Sequence, residues 1–377
     1  MSKIYKIIIA VSRSFSVPLF GFLISLLGIK FYGKEYWGDF IYTFTWILLF
    51  AFLANFGNKD YLLRKYSNNP SEIAVFFTNN FLSRMLILLV SFVLFIIFPT
   101  KIAIASTILI FLIFIYQSLD SLVIYHQLFL RQLIAEVIGF ALIITFFLSK
   151  KPYHLETIIY VYCISYGLKI SIFLGNLKTY FSFKKGMISI QELKKSFAFF
   201  LIVFSGFIAS KIDLYVVNLT MSKEHISEYQ IGITAFLLLQ SLAYLIILPF
   251  NKHLYRLNKD VIQKIKKQLA YISVPVVVTG TISIWFILEK IAKLDLSLVF
   301  YMFGALSSLP TYFYIMNVML FYKQKKERII IKISFIAAIC NLILSFILIH
   351  NYGIIGGVIS VFVTQLVVLV FYKLYKE

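Results

Sequence analysis

The 377-residue chain is 61% hydrophobic and 18% aromatic, with 14% charged residues, against roughly 25% charged in ordinary soluble domains. With a mean hydropathy of +0.90 and apolar stretches of about 20 residues recurring from end to end, this excludes a soluble chain and points to a polytopic membrane protein. The net charge of +20, from 36 Lys+Arg against 16 Asp+Glu, would suggest a nucleic-acid partner in a soluble protein, but these cations lie mostly in short connectors, where they fix orientation and meet anionic membrane lipids; no nucleic acid is expected.

The first apolar segment lacks a small-residue cleavage site and reads as a span, not a cleavable signal peptide. Helical spans are expected near 10–29, 40–56, 76–98, 102–124, 132–148, 158–175, 197–220, 229–250, 269–288, 297–320, 330–349 and 353–372, giving an all-α protein of about twelve transmembrane helices. With a cytosolic N-terminus, 25 cations fall in inward stretches and 8 in outward ones, and three, Arg84, Lys169 and Lys211, fall within spans. No loop reverses this bias, so both termini are expected in the cytosol. The longest connectors, 57–75, 176–196 and 251–268, are all inward. The second divides the chain into an N-terminal lobe, 1–196, with six helices and the linker, and a C-terminal lobe, 197–377, with six more. An even number of spans per half gives both halves one orientation, so a symmetry axis would run along the membrane normal.

Charges within the spans carry the functional signal. In "SGFIASKIDLYVVNLT", residues 205–220, Lys211 lies about 14 residues, or roughly 21 Å, beyond the start of its span. Asp213 is too short to snorkel as a lysine can. Two positions apart on a helix is about 200° of rotation, so the pair does not neutralise itself on one face; each needs another helix or water. An interhelical salt bridge, or a lysine head reaching the outer interface, would explain the pair structurally; a polar cavity or a conformational lock would explain it functionally. Arg84, in "NNFLSRMLILL", and Lys169, in "CISYGLKISIFLG", lie in the cytosolic halves of the third and sixth spans. Arg13, at the start of the first span, also reads as an inside anchor. Asp120 and Glu136, near the ends of the fourth and fifth spans, are candidate ion-pair partners for these cations. A cavity biased toward positive charge and lined by Tyr, Asn, Ser and Gln suits an anionic, hydroxyl-rich ligand.

Enzymatic signatures do not appear. There is no GxxxxGK phosphate loop, no HExxH and no GxSxG. The histidines His126, His154, His225, His253 and His350 are scattered singly, and Cys163 and Cys340 both fall within spans. No catalytic residues, metal site or cofactor are expected. Work, if done, comes from an ion gradient such as protons or sodium, the membrane potential or a substrate gradient.

The stretch from Arg13 through "LLGIKFYGKEYWGDFIYTFTWILLFAFLANFGNKDYLLRKYSNNP" resembles the opening of bacterial polysaccharide-biosynthesis membrane proteins of the O-antigen flippase type, through Arg13, Gly28, Gly33, Gly38, Phe40, Gly57, Leu63 and Arg64. "SKIDLYVVNLTMSKEHISEYQIGITAFLLLQSLAYLIILPF" resembles the seventh and eighth spans of that group, with Lys211, Asp213, Tyr229 and Pro249. "NLILSFILIHNYGIIGGVIS", with Asn341, Tyr352, Gly353, Gly356 and Gly357, resembles its eleventh-to-twelfth-span turn. The larger group includes multidrug and toxic-compound exporters and peptidoglycan-precursor flippases; the latter usually carry additional C-terminal helices, which disfavours that member.

The resemblance implies two six-helix lobes around a central cavity and alternating access. It implies translocation of undecaprenyl-diphosphate-linked oligosaccharide from the cytosolic to the outer leaflet of the bacterial inner membrane, for O-antigen or other lipopolysaccharide synthesis, alongside a glycan polymerase and glycosyltransferases of the same pathway. On this reading Arg13, Arg84, Lys169 and Lys211 line the diphosphate path, Asp213 serves gating or charge balance, and Asp120 and Glu136 give secondary ion pairing. The alternatives are a cation-coupled drug antiporter, for which a more acidic cavity is expected; an integral-membrane glycan polymerase or ligase, which commonly needs a sizeable outer loop; and a membrane scaffold.

Overall fold

A computed structural model describes residues 3–149, 154–181, 187–247, 259–324 and 326–375. Pro249, His253 and the connector cations Lys150, Lys151, Lys184, Lys185, Lys252, Arg256, Lys325 and Lys376 lie outside the described residues. The described regular structure is entirely helical: α1 (Lys3–Tyr32), α2 (Lys34–Asn55), α3 (Asn58–Asn68), α4 (Ile73–Met85), α5 (Leu94–Ile97), α6 (Thr100–Tyr125), α7 (Phe129–Leu148), α8 (Leu155–Leu177), α9 (Ile190–Thr220), α10 (Lys223–Ile247), α11 (Lys259–Trp285), α12 (Leu298–Lys323) and α13 (Glu327–Leu374). In lipid this is the expected solution, because a helix satisfies its backbone polar groups internally.

Each of the twelve expected spans falls on helical structure over its described residues, 248–250 of the eighth lying outside them, and ten helical stretches among the described residues are long and apolar enough to cross a membrane. The chain is therefore an all-α polytopic membrane protein. Some spans differ in detail from expectation. The third is not one α-helix: after α4 the backbone tightens into a 3-10 run, Ile87–Val93, before α5. The last two are continuous in the 48-residue α13, broken only at Gly353, whose φ of 59° and ψ of −142° bend the helix where a side chain would be strained. Pro18, Pro275 and Pro310 lie inside α1, α11 and α12.

The chain forms two compact units. The first comprises Met1–Ser16 and Asp39–Phe204, the second Val17–Gly38 and Ser205–Glu377. Within the first, α3, α4, α6 and α8 bury an aromatic and aliphatic core that includes Leu62, Tyr66, Phe77, Phe81, Phe114 and Phe173. Within the second, the end of α12 and both ends of α13 enclose Phe321, Ile330, Ile333 and Tyr372. Large apolar side chains such as Ile96, Leu298 and Phe335 remain exposed, a distribution that fits hydrocarbon as the solvent.

Candidate functional site

In the first unit the in-span charges form polar rungs between helices. Tyr116 and Asp120 stand one turn apart on α6, and Gln132 and Glu136 one turn apart on α7, so the antiparallel pair places Asp120 opposite Gln132 and Tyr116 opposite Glu136. Gln132 Nε2 donates to Asp120 Oδ1 at 2.7 Å, and Arg13 Nη2 lies 3.5 Å from that oxygen. This pair keeps some access to solvent, the two side chains being 20% and 25% exposed. One turn away, Tyr116 Oη donates to Glu136 Oε1 at 2.7 Å, and Lys169 Nζ from α8 donates to Glu136 Oε2 at 2.7 Å. The ammonium also lies 4.6 Å above the Tyr166 ring. Space for the lysine stem comes from Gly139, where a Cβ would collide with Lys169 Cε. The carboxylate is thus held on both oxygens, and the buried ammonium has an anion and an aromatic face.

Arg84 is fully buried and has no carboxylate within 4.0 Å among the described residues. Its Nε donates to Asn80 Oδ1 at 2.7 Å and its Nη2 to Ser118 Oγ at 2.9 Å. Nη1 reaches the carbonyls of Ala54 and Asn55 at 3.4 and 3.3 Å, which are among the unpaired carbonyls at the C-terminal end of α2. A cation there meets the negative end of the helix dipole, and the guanidinium carbon lies 4.9 Å above the Phe114 ring. Arg84 therefore ties α2 and α6 to α4, with no exposed donor in this conformation.

A third polar cluster in this unit joins α3 to the start of α9. Glu192 accepts from Tyr61 Oη at 2.8 Å and from Lys65 Nζ at 2.8 Å. Just before α9, the Met187 and Ser189 N–H groups donate to Asn79 Oδ1 and Ser83 Oγ of α4.

In the second unit Asp213 is buried on α9 and accepts from Tyr229 Oη of α10. Its Oδ1 has no hydrogen-bond donor among the described residues. The Tyr229 ring lies against Gly357 of α13, where a side chain would overlap it. Asn341, one side of the α13 bend, donates to the Ala209 carbonyl of α9 at 3.1 Å and accepts from Ser345 and Ser360 at 3.1 and 3.2 Å. Lys211 is partly exposed and makes no ion pair within 4.0 Å among the described residues; its electrostatic partner is Asp213. Near the start of α10, Glu228 accepts from Lys34 Nζ of α2 at 2.6 Å.

Sequence reasoning singled out the charges and Asn341 but missed Tyr116 and Tyr166, which surround Glu136 and Lys169, and Ser345 and Ser360, which bond Asn341. For Tyr116 a signal was present: polar residues four apart on two consecutive antiparallel spans mark a shared seam. No group of three or more His, Cys, Asp or Glu that would hold a metal ion occurs among the described residues.

No protein-family profile matches the chain, and no curated protein matches it in sequence. Solved structures do match. The lipid II flippase MurJ in its inward closed conformation superposes with a TM-score of 0.76 at 16% identity, over 98% of this chain and 87% of that one. An inward-facing multidrug resistance MATE family transporter of the MOP superfamily gives 0.63 at 14% identity, over 100% of this chain and 98% of that one. A MATE structure in complex with Br-NRF gives 0.55 at 16% identity, over 98% and 94%. The chain shares its fold with these solved structures. In this fold the second unit's polar residues come from the consecutive helices α9 and α10 and from α13, whose Asn341 lies 132 residues from its partner Ala209. The likeness spans nearly the whole chain and so supports the expected all-α membrane fold.

Proposed function

We propose that the protein is a flippase that moves undecaprenyl-diphosphate-linked oligosaccharide from the cytosolic to the outer leaflet of a bacterial inner membrane by alternating access, for surface polysaccharide synthesis of the O-antigen type. The observation that carries this reading is Lys211: a cation within an apolar helix, partly exposed, with no ion pair inside 4.0 Å among the described residues. A site that retains such a charge is matched by an anionic substrate group better than by a cationic one. The MOP-type fold supports a transporter, and the sequence resemblance supplies the lipid-linked sugar.

On this proposal Arg13 and Lys169, nearer the cytosolic ends of their spans, meet the diphosphate before Lys211 does, and Arg84 acts as a positioning residue by holding the end of α2. Lys169 leaves Glu136 when a phosphate oxygen replaces the carboxylate, and Tyr116 keeps Glu136 hydrogen-bonded meanwhile. Asp213, with one oxygen on Tyr229 and one without a hydrogen-bond donor among the described residues, provides charge balance and the place where a proton or sodium gradient is coupled. A glycan polymerase and glycosyltransferases of the same pathway are the expected partners.

Binding of a polyprenyl-diphosphate oligosaccharide to the purified protein tests the assignment. Lys211→Gln should weaken binding at least tenfold while the melting temperature stays within a few degrees; wild-type affinity in that variant would refute the role of Lys211. A cation-coupled drug antiporter is the second reading, favoured by the buried carboxylates of Glu136 and Asp213 and by the likeness to MATE structures. It predicts cationic dye efflux and no handling of the lipid-linked sugar.

A further inference from the structure

Arg13, Lys65 and Lys169 of the first unit and Lys34 of the second each have a carboxylate within 4 Å. In the second unit, Lys326, Arg328, Lys332 and Lys373 are exposed and make no ion pair within 4.0 Å among the described residues. Glu327 is the single acidic residue of the sequence between 324 and 374.

Packing brings these four to one rim. Phe321 near the end of α12, Ile330 near the start of α13 and Tyr372 near its end belong to one buried cluster, and the Tyr372 ring stacks on Tyr314 at 5.2 Å and lies 5.7 Å from Phe321. Asn317 ties the rim further: it donates to the Tyr372 carbonyl at 3.3 Å and accepts from Lys266 Nζ of α11 at 3.1 Å. Helix stability does not explain the cations at the start of α13. They stand at the positive end of the helix dipole, and Arg328 and Lys332, four apart, repel one another along one face.

That face continues in a definite way. Beyond Arg328 and Lys332 the same stripe carries Phe335, Ile339 and Ile343, which are 54%, 47% and 53% exposed. Two cations at the rim, followed by an exposed apolar stripe running into the membrane, match a phosphodiester headgroup with acyl chains below it. An arginine fork presents paired donors to phosphate oxygens, and Lys326 and Lys373 add charge beside it.

We infer that the rim formed by the start and end of α13 is a binding site for an anionic phospholipid, with Arg328, Lys332 and Lys373 on the headgroup phosphate and Phe335, Ile339 and Ile343 along an acyl chain. This is more specific than attraction of a basic face to a charged leaflet, because it assigns the contact to one stripe. It does not rest on the proposed substrate.

The test uses full-length protein, purified and delipidated in detergent and titrated with phosphatidylglycerol, phosphatidylcholine or inorganic phosphate, with bound lipid counted by native mass spectrometry. Two triple variants remove equal charge: Arg328→Gln/Lys332→Gln/Lys373→Gln at the rim, and Arg64→Gln/Arg131→Gln/Lys194→Gln at exposed cations of the first unit. The wild type and the second triple should bind phosphatidylglycerol at least fivefold more tightly than phosphatidylcholine, and the rim triple should lose that preference. Phe335→Ser/Ile339→Ser should weaken phosphatidylglycerol without changing the charge. The inference is overturned if both charge triples behave alike, if the rim triple retains the wild-type preference, or if inorganic phosphate displaces the lipid at equal concentration.

Discussion

Removing the ammonium of Lys169 should cost far more than removing the ammonium and its carboxylate together. Lys169 Nζ lies 2.7 Å from Glu136 Oε2, and the side chains are 10% and 9% exposed. In Lys169→Met, Glu136 keeps Tyr116 on its other oxygen but loses its only cation within 4 Å among the described residues. Breaking a buried pair from one side costs about 3–5 kcal/mol, since the survivor is a buried, uncompensated charge. Glu136→Gln strands the ammonium in the same way, although the Tyr166 face tempers the loss. In the double variant Lys169→Met/Glu136→Gln the amide still accepts from Tyr116 and no charge is buried, so the cost should fall to about 1–2 kcal/mol. The coupling between the sites is therefore expected at or above the upper end of the usual range of roughly 0.5–3 kcal/mol. Reversible unfolding of the four proteins in mixed micelles measures this cycle. Additive single-variant costs, or single-variant costs below about 1 kcal/mol, would refute the buried-pair reasoning.

Arg84→Lys should destabilise the protein by about 2–3 kcal/mol, because an ammonium cannot reach Asn80, Ser118 and the α2 carbonyls together; Lys169→Arg should be tolerated better, and equal unfolding midpoints for the two would contradict the difference. Asp213→Asn should slow turnover at least tenfold while changing substrate affinity less than threefold, with Tyr229→Phe shifting turnover in the same direction; a loss confined to affinity would place Asp213 in ground-state binding instead. Gly353→Ala should cost about 1–3 kcal/mol from its backbone angles alone, read as a lowered unfolding midpoint, and an unchanged midpoint would show that the bend relaxes.

The helical architecture was legible because hydrocarbon demands it: runs of about 20 apolar residues punctuated by lysine-rich connectors leave little choice of fold. What could not be read was where local geometry departs from a straight helix. The 3-10 run Ile87–Val93 carries no proline or glycine to announce it. The expected turn around Gly353 is a bend within a continuous helix, because that one residue absorbs the change of direction. For the site, Arg84, Lys169, Lys211 and Asp213 stood out as charges in apolar runs, but their environments depend on partners far away in sequence. Glu136 lies 33 residues from Lys169, Tyr229 lies 16 from Asp213, and Asn341 lies 132 from Ala209. Depth alone suggested equal roles for Arg84 and Lys169. Neighbours separate them: one is hydrogen-bonded to neutral oxygens of three helices, the other is paired with a single carboxylate.

The most direct test of the central claim is translocation in proteoliposomes containing the purified protein. A fluorescently labelled polyprenyl-diphosphate oligosaccharide is placed in both leaflets, and the fraction reached by an external quencher or glycosidase is followed with time. The account predicts that the protected half becomes accessible at least tenfold faster than in protein-free vesicles, and that Lys211→Gln abolishes most of this gain. Lipid that stays in its leaflet, together with gradient-driven efflux of a cationic dye from the same vesicles, would contradict it.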